Sequence, residues 1–96
     1  MTTPPLLTGD ELAARLSGLA WTLHGTEIVR DLRFANFEAA IAFVNRVAEV
    51  AEKYNHHPDI LVHGWNQVKL SLTNHAAGGL TEIDFDMAAR FDALTP

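Results

Sequence analysis

The chain contains no cysteine. That excludes a disulfide framework and a thiolate-ligated zinc site. It also lacks any run of about 18 apolar residues, so nothing in it reads as a membrane span. Basic residues are few: seven Lys and Arg stand against twelve Asp and Glu, a formal net charge of −5. An acidic surface repels phosphate backbones and gains nothing from counterion release, so direct nucleic-acid binding is not expected. The first seven residues, Met1 to Leu7, carry no basic side chain and too short an apolar stretch for a secretory signal. The expected compartment is the cytosol. There is no internal repeat, no low-complexity segment and no linker rich in Gly, Ser or Pro.

What is present is the make-up of one small globular domain. Of 96 residues, 48% are hydrophobic and 20% charged, which argues against disorder. A chain this short buries roughly two-thirds of its unfolded surface, enough for a single core. Residues 1–7 are expected to form a flexible arm and residues 8–96 the domain. Thr8-Gly9-Asp10-Glu11 has the form of a capping box. The helix it opens carries Leu12, Leu16 and Leu19 on one side and ends near Gly18. Ala20 to His24 and Thr26 to Phe34 read as strands joined at Gly25. In the second, Ile28, Leu32 and Phe34 share one face, and Glu27, Val29, Asp31 and Arg33 the other.

Asn36 is a suitable N-cap for the longest helix, residues 37–54. Phe37, Ala40, Ile41, Val44, Val47, Ala48 and Ala51 form its apolar stripe. Pro58 stops this region and pushes His57 towards extended backbone. Ile60 to His63 reads as a third strand, with a turn at Gly64-Trp65-Asn66. From Gln67 to Asn74 the chain alternates: Val68, Leu70 and Leu72 point one way, and Gln67, Lys69, Ser71 and Thr73 the other. That is a half-buried antiparallel strand. Thr81-Glu82-Ile83-Asp84 opens a last helix carrying Met87, Ala88, Phe91 and Leu94. The order α-β-β-α-β-β-α argues for an α+β fold, a four-stranded antiparallel sheet with helices packed on one face.

Four of the five histidines fall between Glu52 and Asp84. Imidazole gives or takes a proton near neutral pH, so His56, His57 and His75 can serve as general acid and base without a metal. The side chains of the adjacent His56 and His57 diverge, which suits different roles. Each residue also has a plainer use. Histidine near a helix C-terminus complements the dipole, Asp84 caps a helix, Glu52 is a solvated charge, and Trp21 and Trp65 pack. His24 and His63 are read as structural or incidental. Three histidines can hold zinc, but adjacent ligands chelate poorly and no His-x-His or His-x3-His pair is present. No metal is expected.

Taken together, Glu52, then His56-His57-Pro58, then Trp65, His75 and Asp84 resemble the signature of the pterin-4a-carbinolamine dehydratases. Ala51-Glu52-Lys53, Gly79-Leu80-Thr81, Trp21 and the Phe34 to Phe43 region are also similar to that family, and the resemblance covers nearly all of the chain after residue 8. It implies loss of water from 4a-hydroxytetrahydropterin to give quinonoid dihydropterin, with no metal or organic cofactor. It implies homodimers or homotetramers with sheets joined across subunits. His56, His57 and His75 would carry the chemistry. Asp84 would fix an imidazole tautomer, and Glu52 and Trp21 would support or line the substrate site. The competing reading is a non-catalytic dimerisation or assembly module of the same fold. A module of that kind would be expected to lose catalytic histidines, and all three are present here.

Overall fold

The computed structural model describes residues 4–95. Three helices and four strands follow in the order α1 (Gly9–Leu16), β1 (Thr22–His24), β2 (Glu27–Arg33), α2 (Phe37–Tyr54), β3 (Asp59–His63), β4 (Gln67–Leu72) and α3 (Glu82–Asp92). The strands form one antiparallel sheet of order β1-β2-β4-β3. The α2 crossover carries the chain from β2 to the far edge, and the β3–β4 hairpin then returns to fill the gap. Gly64 and Trp65, both left-handed, turn that hairpin. The positive φ of 53° at Gly64 favours glycine there, whereas a Cβ would meet only the movable end of the Gln67 side chain.

The alternation in β4 is obeyed residue by residue. Val68, Leu70 and Leu72 are fully buried. They lie level with Leu32, Arg30 and Ile28 of β2 and, for the first two, with Val62 and Ile60 of β3. These rows face the helices. The core joins Ile28, Val68, Leu70 and Leu72 to Phe43, Val47, Met87, Ala88 and Phe91. The opposite face carries Glu27, Asp31, Arg33, Gln67, Lys69 and Ser71, together with the buried Val29 and the exposed Leu61.

The long helix has the expected ends but a different buried face. The Asn36 Oδ1 accepts the Ala39 N–H at 2.8 Å, as an N-cap should. Its buried residues are Ala40, Phe43, Val47 and Ala51. Phe43, outside the expected stripe, is at the centre of the core, with its ring centroid 5.0 Å from that of Phe34. Phe37, inside the expected stripe, is 54% exposed, and Ala48 is exposed as well. The apolar arc of α2 is wider than one sheet contact can cover. Periodicity identifies such an arc without choosing its centre, and the volume of the Phe43 ring makes that choice.

The N-terminal parts also differ in detail. Thr8 is the N-cap of α1 by backbone conformation, but its side chain makes no capping hydrogen bond. This helix buries no residue fully and rests on the core through Leu12, Leu16 and the following Leu19, with an Arg15–Glu82 ion pair. Of the arm expected over residues 1–7, residues 1–3 lie outside the described range. Leu7 is buried, and its N–H donates to the Leu80 carbonyl at 2.9 Å.

Arg30 and Trp21 share one acceptor across the helix–sheet layer. The buried Trp21 indole N–H donates to Asp92 Oδ1 at 2.9 Å, and the Arg30 guanidinium pairs with the same oxygen. Asp92→Ala leaves both donors without that partner. The expected cost is about 1–3 kcal/mol of unfolding free energy, read as a lower denaturant midpoint at unchanged m-value. An unshifted midpoint contradicts this assignment.

Candidate active site

The site is built where α2 ends and α3 begins. Asn55 is left-handed, at φ 51° and ψ 43°. Its N–H reaches back to the Glu52 carbonyl at 3.3 Å, and the His56 N–H to the Ala51 carbonyl at 3.1 Å. Those two bonds are the Schellman closure of a helix C-terminus. The helix therefore stops at Tyr54, before Pro58 can act, and the chain reverses at Asn55. Asparagine suits this position because its short polar side chain tolerates the left-handed region better than most. The reversal delivers His56 to the start of α3.

There, Thr81 and Asp84 are both fully buried. Asp84 Oδ2 accepts the Thr81 N–H at 2.8 Å and the Thr81 hydroxyl at 3.2 Å. A carboxylate at this point is favoured by the orphan N–H groups and the dipole of the helix N-terminus. The other oxygen, Oδ1, lies 2.6 Å from His56 Nε2. A buried carboxylate is costly unless its lone pairs are satisfied. Three donors on two oxygens meet that need, and no described buried side-chain polar atom lacks a partner. An ionised carboxylate only accepts, so Nε2 carries the proton of a neutral His56 ring. Nδ1 is then the nitrogen with a lone pair free. The His56 side chain retains 14% exposure, enough for contact with a bound molecule.

The neighbouring pair is looser. His57 Nε2 lies 3.3 Å from Glu52 Oε1, with side chains 53% and 79% exposed. His75 is exposed and makes no side-chain hydrogen bond among the described residues. Its loop is tight: Asn74 and Gly79 exchange backbone bonds of 3.0 and 3.2 Å, the Asn74 side chain accepts from the Ala77 N–H at 3.0 Å, and Gly78 is left-handed. The β3–β4 register ends at Asp59↔Ser71. It directs residues 56–58 and 73–75 to the same end of the sheet.

The structure thus joins His56 to Asp84 and His57 to Glu52, and brings His75 to their end of the sheet. It does not bring the tryptophans there. Trp21, expected to line the substrate site, has its indole tied to Asp92, eight residues and about 12 Å along α3 from Asp84. Its apolar surface is spent in the core instead. Trp65, an element of the signature, is at the hairpin tip, across the length of β4 from His75, and is 62% exposed. His63 stands at that same far end, and no group of three or more His, Asp or Glu suited to a metal ion occurs among the described residues. Sequence reasoning read Thr81 and Asp84 as a helix cap without placing Thr81 at the site, and missed Asn55 as the residue that turns the chain. The signals were there: a Thr-x-x-Asp box, and an asparagine directly between helix and histidines.

Two surface clefts lie outside this cluster. One, of about 170 Å³, is walled by Leu6, Leu7, Leu12 and the Gly78–Leu80 segment beyond His75. The other, of about 250 Å³, lies between α2 and α3 at Tyr54 and Arg90. No described helix is long and apolar enough to cross a membrane.

Comparison with known proteins places the chain in a family. The family model described as pterin 4 alpha carbinolamine dehydratase matches residues 5–94. A protein of that dehydratase family from Acidobacterium capsulatum is 54% identical over 92% of this chain and 96% of its own length. Another from Chloroflexus aurantiacus is 52% identical over 94% and 97%. The crystal structure of a transcriptional coactivator/pterin dehydratase from Brucella melitensis superposes with a TM-score of 0.87 at 33% identity, covering 95% of this chain and 99% of that one. A pterin dehydratase-like protein identified as a RuBisCO assembly factor in the alpha-carboxysome gives a TM-score of 0.67 at 26% identity, over 80% and 90%. On both sequence and fold, the chain belongs to the pterin-4-alpha-carbinolamine dehydratase family.

Proposed function

We propose that the protein removes water from 4a-hydroxytetrahydropterin, giving quinonoid dihydropterin, by acid–base catalysis among its histidines. The observation that carries this reading is His56, held by the buried Asp84 at 2.6 Å with Nδ1 left free. His56 and His75 act as the acid and base. One protonates the departing 4a-hydroxyl as the C4a–O bond breaks. The other takes the proton from the neighbouring ring nitrogen, whose electron pair forms the new C=N bond. One proton is given, one is taken, and water leaves, with no net oxidation. His57, on its exposed tether to Glu52, holds and orients the pterin.

Asp84 supports this chemistry by holding one tautomer and by compensating positive charge when His56 is protonated. Water exclusion is modest in a single chain, because His57 and His75 are both exposed. A homodimer or homotetramer is part of the proposal. Its support is the edge strand β3, whose Ile60 and Leu61 are 36% and 53% exposed, since unpaired edges and apolar surface favour association.

The alternative is a non-catalytic assembly module, the kind of role named for the carboxysomal neighbour. Retention of all three histidines, two of them already paired with carboxylates, favours the enzyme. The deciding experiment follows the ultraviolet absorbance of freshly made 4a-hydroxytetrahydropterin in the presence of chelator. The expected result is dehydration well above the spontaneous rate. No acceleration by folded protein overturns the proposal and leaves the assembly role.

A further inference from the structure

Among described non-glycine residues, only Asn55 and Trp65 are left-handed. Trp65 turns a hairpin far from the histidines. Asn55 lies between α2 and His56, and the two bonds that close the helix around it involve its own N–H and that of His56. The direction in which His56 leaves the helix is therefore set by the φ of its predecessor. At φ 51° the His56 ring meets Asp84. With Asn55 in the right-handed region, α2 would continue by a residue and carry His56 round the helix, away from α3.

We propose that Asn55 is a positioning residue: its left-handed backbone, rather than any contact of its side chain, places His56 against Asp84. This rests on the dehydratase reading for its catalytic consequence but not for its geometry. Asparagine and glycine both adopt this conformation readily, alanine less so, and β-branched valine poorly. The side chain of Asn55 is exposed and makes no hydrogen bond among the described residues, so deleting it while keeping the backbone free should cost nothing at the site.

The test compares Asn55→Gly, Asn55→Ala and Asn55→Val by two readouts. The first is the ¹H–¹⁵N resonance of the His56 Nε2–H, identified by its absence in His56→Gln. The second is kcat and KM for dehydration. In wild type and Asn55→Gly the resonance and kcat should both persist. In folded Asn55→Val the resonance should vanish or shift and kcat fall about 10²-fold, the scale of an ångström-sized misplacement, with KM little changed. Asn55→Ala should fall between, and it serves as the variant if valine prevents folding. Helix-end stabilisation alone would lower thermal stability while leaving resonance and kcat intact well below the melting temperature. An unaltered His56 resonance in folded Asn55→Val, or in Asn55→Ala where valine prevents folding, overturns the proposal, as does its loss in Asn55→Gly. Loss of the resonance with unchanged kcat also overturns it. If wild type proves inactive, the dehydratase reading fails alone, and the resonance by itself decides the role of Asn55.

Discussion

Alanine at His75 should lower dehydration turnover about 10²–10⁴-fold, the usual worth of one general acid or base, with little change in KM. Among the histidines this is the cleanest substitution. His75 is exposed and has no side-chain hydrogen bond among the described residues. Its removal strands no buried partner, and the stability change should remain within about 0.5 kcal/mol, as for ordinary surface positions. His56→Ala is less clean. It takes a donor from a buried carboxylate, and an abandoned buried group costs about 1–3 kcal/mol. A loss of activity there mixes chemistry with damage to the start of α3. Single-turnover and steady-state rates on His75→Ala, with circular dichroism to confirm the fold, therefore form the sharper test. Wild-type turnover in that folded variant would remove His75 from the mechanism.

The largest effect on stability should come from Phe43→Ala, at about 3–5 kcal/mol. Phe43 is fully buried and packs on Phe34, so the vacated volume is enclosed. A small domain holds only about 5–15 kcal/mol in total; the loss is thus a large part of its margin. Phe37→Ala is the matched control. It removes the same ring from the same helix, but at a site 54% exposed, and it should cost far less. Denaturant midpoints of the two variants provide the comparison. They must be taken at one protein concentration, because association would make stability depend on concentration. Equal costs would contradict the face of α2 described above.

This contrast marks where sequence reasoning stops on the fold. The elements are legible because local chemistry dictates them. The caps at Asn36 and Thr81, the alternation in β4 and the glycine at the hairpin all act within a few residues. Choosing Phe43 over Phe37 requires knowing what lies opposite α2, a contact between parts of the chain far apart in sequence. The packing of Trp21 could not be read from the sequence for the same reason. An aromatic near a strand start is equally suited to a substrate or to a core, and the Asp92 acceptor that settles it lies 71 residues away.

The site divides in the same manner. Its residue types are local facts: a helix that must end before a proline, two histidines at that end, a third after a strand, and an aspartate three residues into a capping box. These alone determined the family resemblance and the inventory of proton carriers. Tertiary structure decided which groups meet. The β3–β4 register turned the 56–58 and 73–75 segments to one end of the sheet, and the left-handed Asn55 swung His56 onto Asp84 rather than into solvent. The same carboxylate that caps α3 with one oxygen holds an imidazole with the other. Local rules specify the first of those bonds, because donor and acceptor are three residues apart. The second joins residues 28 apart and exists only once the α2–β3–β4–α3 path has closed.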